Sequence, residues 1–123
     1  MALHFDTEIY KVAYELLNLI TDLAKNMPRD FKATIGGKLR DECIEISTLI
    51  YRANVADDKT PFLSTLIERV QVAELLIRLS RDKKLISTGQ YASAIELAAS
   101  VGKQANGWRR SLLTPAACQP RLI

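Results

Sequence analysis

The sequence predicts an all-α protein, an antiparallel up-down-up-down bundle of four helices. Apolar residues recur at spacings of three and four along four long segments of the 123-residue chain, which places them on one face of a helix in each segment. The breaks between the segments are short, so consecutive helices are expected to be antiparallel neighbours. No segment alternates with a period of two, as a half-buried strand would.

The first predicted helix covers residues 7–26, with Asp6 or Thr7 as its N-cap. Its main apolar row is Ile9, Val12, Ala13, Leu16, Ile20, Leu23, Ala24 and Met27. A second row widens the apolar face beyond what one packing partner requires, and we predict that it contributes to an oligomer interface. That second row is Tyr10, Tyr14 and Leu17.

The second predicted helix covers residues 30–56, because Pro28 lacks an amide hydrogen and disfavours helix at the residue before it. Its apolar row is Phe31, Ile35, Leu39, Cys43, Ile46, Ile50 and Ala53. Gly36 and Gly37 lie inside this helix, where each costs about 1 kcal/mol relative to alanine. Two explanations are open: the close approach of another backbone, or a local kink.

The third predicted helix covers residues 61–83, with Thr60 as N-cap and Pro61 in the first turn, where proline is well tolerated. Its core row is Leu63, Leu66, Ile67, Val70, Ala73 and Ile77. Additional apolar residues make the helix apolar nearly all round, which in a four-helix unit indicates a subunit interface. These candidate interface residues are Val72, Leu75, Leu76 and Leu79.

The fourth predicted helix covers residues 88–113 and follows Ser87, which forms a capping-box pattern with Gln90. Its apolar row is Tyr91, Ile95, Ala98, Val101, Gly102, Ala105, Trp108 and Leu112. Pro115 ends the helix. The chain is therefore predicted to form a single domain over residues 1–114, with a flexible tail at 115–123.

Catalytic chemistry finds little support in the sequence. The sole histidine, His4, precedes the first helix, so histidine-based catalysis and a Glu-x-x-His metal site cannot be built within the bundle. Gly36-Gly37-Lys38 lacks the first glycine of a phosphate-binding loop and a preceding strand. Glu42 and Glu45 are predicted to form a solvated acidic face. We predict no enzymatic activity, no metal and no cofactor.

The two cysteines indicate a reducing compartment. Cys43 is predicted to be a small buried hydrophobe, and Cys118 has no CxxC spacing to another cysteine. No apolar stretch is long enough to span a membrane, and the N-terminal residues do not resemble a secretory signal. These features predict a cytoplasmic protein.

The formal charge of +3 is unevenly distributed along the chain. Residues 1–61 contain 8 basic and 10 acidic side chains, whereas residues 62–123 contain 9 and 4. Candidate nucleic-acid-binding residues are therefore Arg69, Arg78, Arg81, Lys83, Lys84, Lys103, Arg109 and Arg110. In an antiparallel pair they form two zones at opposite ends. Some of these charges would also complement helix dipoles and maintain solubility without binding anything.

The order of short signatures along residues 8–110 resembles the accessory variability determinants of diversity-generating retroelements, within the wider four-helix proteins encoded in 23S ribosomal RNA intervening sequences. Each signature is weak alone, and their order and spacing carry the resemblance. They are Ile9-Tyr10-Lys11, Tyr14-Glu15-Leu16, Met27-Pro28-Arg29, Phe31-Lys32, Thr34-Ile35-Gly36, Lys38-Leu39, Ile50-Tyr51-Arg52-Ala53-Asn54, Leu75-Leu76-Ile77-Arg78-Leu79 and Gly107-Trp108.

This resemblance implies a homopentameric barrel with a positively charged surface. It also implies a non-enzymatic accessory subunit that binds the reverse transcriptase of the element and nucleic acid, supporting mutagenic cDNA synthesis from a template RNA. Five copies of a modest basic patch would together give useful affinity for phosphates. The alternative is a protein-interaction module with no nucleic-acid role, favoured by the apolar excess on the first and third helices.

Overall fold

The computed structural model describes residues 7–113, and within them four long helices pack against one another. Helix α1 is Glu8–Lys25, α2 is Gly37–Val55, α3 is Thr60–Asp82 and α4 is Thr88–Leu113. A short helical turn, Arg29–Phe31, and a π-helical segment, Lys32–Gly36, lead into α2. The all-α prediction is confirmed. The predicted tail at 115–123 lies outside the described residues, as do His4, Asp6 and Cys118.

Helix α1 packs against α2 and α4, and so does α3, so α1 and α3 lie on opposite corners of the bundle. Gly36, at the start of the second helical stretch, contacts Ala24 near the end of α1. Arg81, near the end of α3, contacts Tyr91 near the start of α4. Each contact joins the end of one helix to the start of the next, so these neighbours are antiparallel.

One apolar core runs through the centre of the bundle and takes residues from all four helices. The stripes predicted from three- and four-residue spacing supply most of it, because those positions face inward together. The largest fully buried side chains are Leu16, Ile20, Leu39, Ile46, Ile50, Leu63, Leu66, Val70, Ile77 and Val101. On α4 the buried residues are small, which lets its neighbours pack closely.

Side-chain caps define two of the helix starts as predicted. Thr7 Oγ1 accepts a hydrogen bond from the Tyr10 amide at 3.3 Å. At α4 the Ser87 amide donates to Gln90 Oε1 at 2.8 Å, and the Gln90 amide donates to Ser87 Oγ at 3.0 Å. These reciprocal bonds are the predicted capping box.

The prediction for Thr60 is wrong. Helix α3 begins at Thr60 itself, Lys59 precedes it, and the Thr60 amide donates instead to Asp58 Oδ1 at 3.3 Å. Lys59 Nζ donates to the carbonyl oxygens of Ala53, Asn54 and Ala56 at 3.0, 3.1 and 2.8 Å. A single ammonium group therefore satisfies carbonyls at the end of α2 that no helical amide can reach.

Both explanations proposed for the glycine pair have a counterpart at Gly36, which is buried and ends the π-helical segment. A Cβ on Gly36 would lie 3.2 Å from Ala24 Cβ and 3.2 Å from Met27 Sδ, so α1 approaches too closely for a side chain. A Cβ on Gly37 would meet nothing nearer than the Lys32 carbonyl oxygen at 3.7 Å. Only Gly36 is therefore required by packing.

Cys43 is fully buried in the core, which confirms its prediction as a small hydrophobe. Burial, and secondarily the nearby Glu42 carboxylate, raises the pKa of its thiol to about 12. The thiolate is the nucleophilic form of cysteine, so this side chain is chemically inert at neutral pH.

The two glycines provide a matched test of the α1 contact. We expect Gly37→Ala to raise the free energy of unfolding by about 0.5–1 kcal/mol, because alanine is the better helix former and has room there. Gly36→Ala should instead lower it by about 1 kcal/mol, because α1 must shift to accept the methyl group. Urea unfolding of both variants measures the difference, and equal effects would contradict the close-packing explanation.

Candidate nucleic-acid interface

The turn between α3 and α4 brings four of the predicted basic residues together. Arg78, Lys83 and Lys84 are exposed, whereas Arg81 is partly buried. The Arg81 guanidinium donates to Asp82 Oδ1 at 3.1 Å and lies 4.2 Å from the centre of the Tyr91 ring. The cation–π contact orients Arg81 along the surface of α4.

Lys84 occupies an unusual backbone position. Its φ is 61°, in the left-handed region that favours glycine. The Lys84 amide donates to the Arg81 carbonyl at 2.9 Å, and the Leu85 amide donates to the Ser80 carbonyl at 2.8 Å. These two bonds form a Schellman motif at the end of α3, which fixes where the Lys84 side chain leaves the backbone. A lysine there is less stable than a glycine by about 1 kcal/mol.

The other predicted zone lies far along α4. Lys103 and Arg110 are exposed, and Arg109 is partly buried with Nη2 donating to Asn106 Oδ1 at 3.3 Å. At a rise of about 1.5 Å per residue, Arg109 lies about 30 Å from the start of α4. The structure therefore places these three residues near the opposite end of the bundle from Arg81 and Lys84.

Arg69 is apart from both zones and forms an ion pair between helices. Its Nη1 lies 3.1 Å from Glu42 Oε1, and its Nη2 lies 3.0 Å from Glu68 Oε1. Glu42 is only 4% exposed, and Lys38 Nζ lies 3.1 Å from its second oxygen. The prediction that Glu42 belongs to a solvated acidic face is wrong, because its carboxylate is enclosed between α2 and α3 by two cations.

The sequence interpretation missed basic residues at the turn between α1 and α2. Lys25, Arg29 and Lys32 are all exposed and lie at the end of the bundle that also carries the α3–α4 turn. They belong to the acidic half of the chain, so a comparison of the two halves hides them. The topology of an up-down bundle is the signal that would have found them.

The candidate oligomer residues form two apolar surfaces. On α1, Tyr14 is 57% exposed and its ring stacks with that of Tyr10 at 6.4 Å between centroids, while Leu17 is partly buried. On α3, Leu75 is 64% exposed, and the remaining three residues are partly buried. Those three are Val72, Leu76 and Leu79.

Three further exposed apolar residues, Ile44, Tyr51 and Val55, were not predicted. They follow one another at spacings of seven and four along α2, so they share one side of that helix. Their spacing continues a helical stripe, but the polar residues between them obscured it in the sequence. Helix α2 therefore has an exposed apolar stripe in addition to its core stripe.

Residues 7–113 contain no cluster of three histidine, cysteine or acidic side chains suited to a metal ion. None of the helices in this range is long and apolar enough to cross a membrane. The surfaces described above are therefore the features of this region that bear on function.

A sequence profile of the bAvd-like family matches residues 8–112, almost the whole described region. The chain belongs to the bAvd-like family. Its namesake is bacterial Avd, the accessory variability determinant of diversity-generating retroelements. Avd proteins are generally non-catalytic and associate with the reverse transcriptase of the element. A search of curated proteins finds no match to the chain. The resemblance inferred from the short signatures is confirmed.

Removing the Arg69 guanidinium should destabilise this bAvd-like bundle. Loss of one partner of a fully buried ion pair costs roughly 3–5 kcal/mol, and because Arg69 is 27% exposed and Lys38 remains, we expect about 2 kcal/mol for Arg69→Gln. The matched control is Glu68→Gln, which removes the exposed partner and should cost less than about 0.5 kcal/mol. Urea unfolding measures both. An Arg69→Gln variant as stable as the parent would show that this arginine is not structural.

Proposed function

We propose that this protein is a non-enzymatic accessory subunit of a diversity-generating retroelement in the cytoplasm. In this role it binds the reverse transcriptase of the element and the template RNA, and it supports mutagenic cDNA synthesis without performing the chemistry. The observation that carries the proposal is the match of the bAvd-like family over residues 8–112. The inert thiol of Cys43 is consistent with a binding role.

The exposed cations support the nucleic-acid part of the proposal. Lysine and arginine side chains at a surface displace counterions from phosphates and give sequence-independent, salt-sensitive affinity. Arg78, Lys83 and Lys84 have this exposed character, whereas Arg69 is held by Glu42. We therefore leave Arg69 out of the proposed contact surface.

The apolar surfaces support assembly into a homo-oligomer. Exposed apolar residues lie on α1 and on α3, which occupy opposite corners of the bundle. Two different surfaces of one chain that bind each other form head-to-tail contacts, and these close into a ring when the rotation between copies permits. We propose that Tyr10, Tyr14 and Leu17 of one copy pack against the α3 surface of the next, in the pentamer that the family resemblance implies.

A second candidate function is a protein-interaction module with no nucleic-acid role. The exposed Leu75 and Tyr14 favour it, because apolar surfaces of this kind also bind other proteins. On this hypothesis, replacing Arg78, Arg81, Lys83 and Lys84 by glutamate leaves every function intact. Loss of RNA binding in that variant would contradict it.

Co-purification tests the accessory role. We expect the tagged protein to retain the reverse transcriptase encoded beside it when the two are co-expressed, because a stable accessory complex requires direct contact. An unrelated four-helix bundle with the same tag is the control. Failure of the reverse transcriptase to co-purify at both low and moderate salt would contradict the proposed function.

Light scattering with size exclusion tests the assembly. We expect the purified protein to be an oligomer and Leu75→Glu to dissociate it, because the glutamate would introduce a charge at an apolar contact. Leu75 is exposed within one chain, so the variant should keep its helical circular dichroism. The control is Ala92→Glu, an exposed position on α4 away from both apolar surfaces, which should remain assembled. A monomeric parent protein would refute the proposed interface.

A further inference from the structure

The geometry points to one end of the bundle as the surface that binds the phosphate backbone of RNA. We call this surface the loop end and define it as residues 22–34 and 78–91, the two turns that α1, α2, α3 and α4 share there, with the flanking helical residues. The inference rests on the proposed function and deepens it, because it names the contact surface and includes residues of both halves of the chain.

The positive charge of the described region is concentrated at the loop end. This end contains seven basic and three acidic side chains, a surplus of four. The remainder of residues 7–113 contains nine basic and ten acidic side chains, so it has no positive surplus. The basic residues of the loop end are Lys25, Arg29, Lys32, Arg78, Arg81, Lys83 and Lys84, and the acidic ones are Asp22, Asp30 and Asp82.

These cations are available for phosphate contacts. Within residues 7–113, six of the seven form no ion pair or hydrogen bond through their side chains, and all six are exposed. The exception is Arg81, which pairs with Asp82 and contacts Tyr91. By contrast, Lys38, Lys59 and Arg69, elsewhere on the bundle, are all occupied by carboxylates or backbone carbonyls. Availability and surplus charge therefore coincide at one end.

The chemistry of the loop end suits a phosphate backbone. Its exposed groups are lysines and arginines on the last turn of one helix and the first turn of the next, spread over two adjacent turns. Point charges arranged in this way bind phosphates of any sequence and do not discriminate bases. The Schellman motif fixes Lys84 in the centre of this array, where its charge adds to those of Arg81 and Lys83.

The proposed assembly leaves the loop end uncovered. The apolar surfaces that would join the copies lie along the sides of α1 and α3, whereas the loop end lies across the bundle axis. Copies that associate side by side therefore present their loop ends next to one another. A single RNA strand can then contact several copies, which multiplies a modest affinity.

The test compares two triple variants that lose the same charge. The loop-end triple is Lys25→Gln, Arg29→Gln and Lys32→Gln, and the comparison triple is Lys103→Gln, Arg109→Gln and Arg110→Gln. Binding of a labelled single-stranded RNA of mixed sequence is measured by fluorescence anisotropy over a range of salt concentrations. Each lost contact lowers the salt slope by about 0.7, so three contacts should weaken binding roughly 100-fold at about 0.1 M salt.

We expect the loop-end triple to show this loss and the comparison triple to bind nearly as well as the parent protein. Equal losses in both triples, or a larger loss in the comparison triple, would overturn the inference. A parent protein that binds the reverse transcriptase but not RNA would also overturn it, while the accessory role would stand. A parent protein that binds neither would refute the proposed function itself.

Lys84→Gly separates binding from folding. Glycine relieves the positive φ, so this variant should be more stable than the parent protein in urea, yet it loses one cation of the loop end. We expect RNA affinity to fall roughly fivefold at about 0.1 M salt for one lost contact. A more stable variant with unchanged RNA affinity and salt slope would remove Lys84 from the proposed surface.

Discussion

Short connections between long helices are the constraint on which the rest of this structure depends. The turn from α1 to α2 and the turn from α3 to α4 span only a few residues, so each helix must return beside the one before it. The first and third turns therefore lie at the same end of the bundle, although they are distant in sequence. This proximity brings basic residues of an acidic half of the chain beside those of a basic half. The charge pattern of the surface is thus a consequence of topology.

The two kinds of surface on this bundle differ in where their side chains originate. Apolar surfaces run along helices, because a stripe at helical spacing remains on one side for several turns. The basic surface lies across the helix ends, because lysine and arginine are favourable near helix C-termini, where the carbonyl dipoles point. The same preference explains Lys25 and Arg81 in the last turns of α1 and α3 without any ligand. What a dipole does not explain is Arg29 and Lys32, which lie beside the start of the next helical stretch.

Local patterns predicted the helices, most of the core and the capping box of α4 from the sequence, because each depends on residues within one or two turns. Other features depend on partners distant in sequence. Glu42 is buried because Arg69, 27 residues later, lies across from it on α3, and nothing beside Glu42 in the sequence indicates this. The start of α3 was misplaced because the Asp58 side chain, two residues upstream, accepts the Thr60 amide. The π-helical entry to α2 reflects the approach of α1 to Gly36, and the loop end required the topology to be known.

A ring of copies would give the loop end its effect. Cyclic symmetry relates all copies by rotation about one axis, so every copy points the same way along that axis. If the apolar sides of α1 and α3 form the contacts, the bundles stand beside one another and all loop ends lie on one rim. A surplus of four charges on one copy is modest, but repeated around a rim it forms a continuous cationic track. An RNA strand following that track would gain affinity from each additional copy without new types of contact, because the later contacts form at high effective concentration.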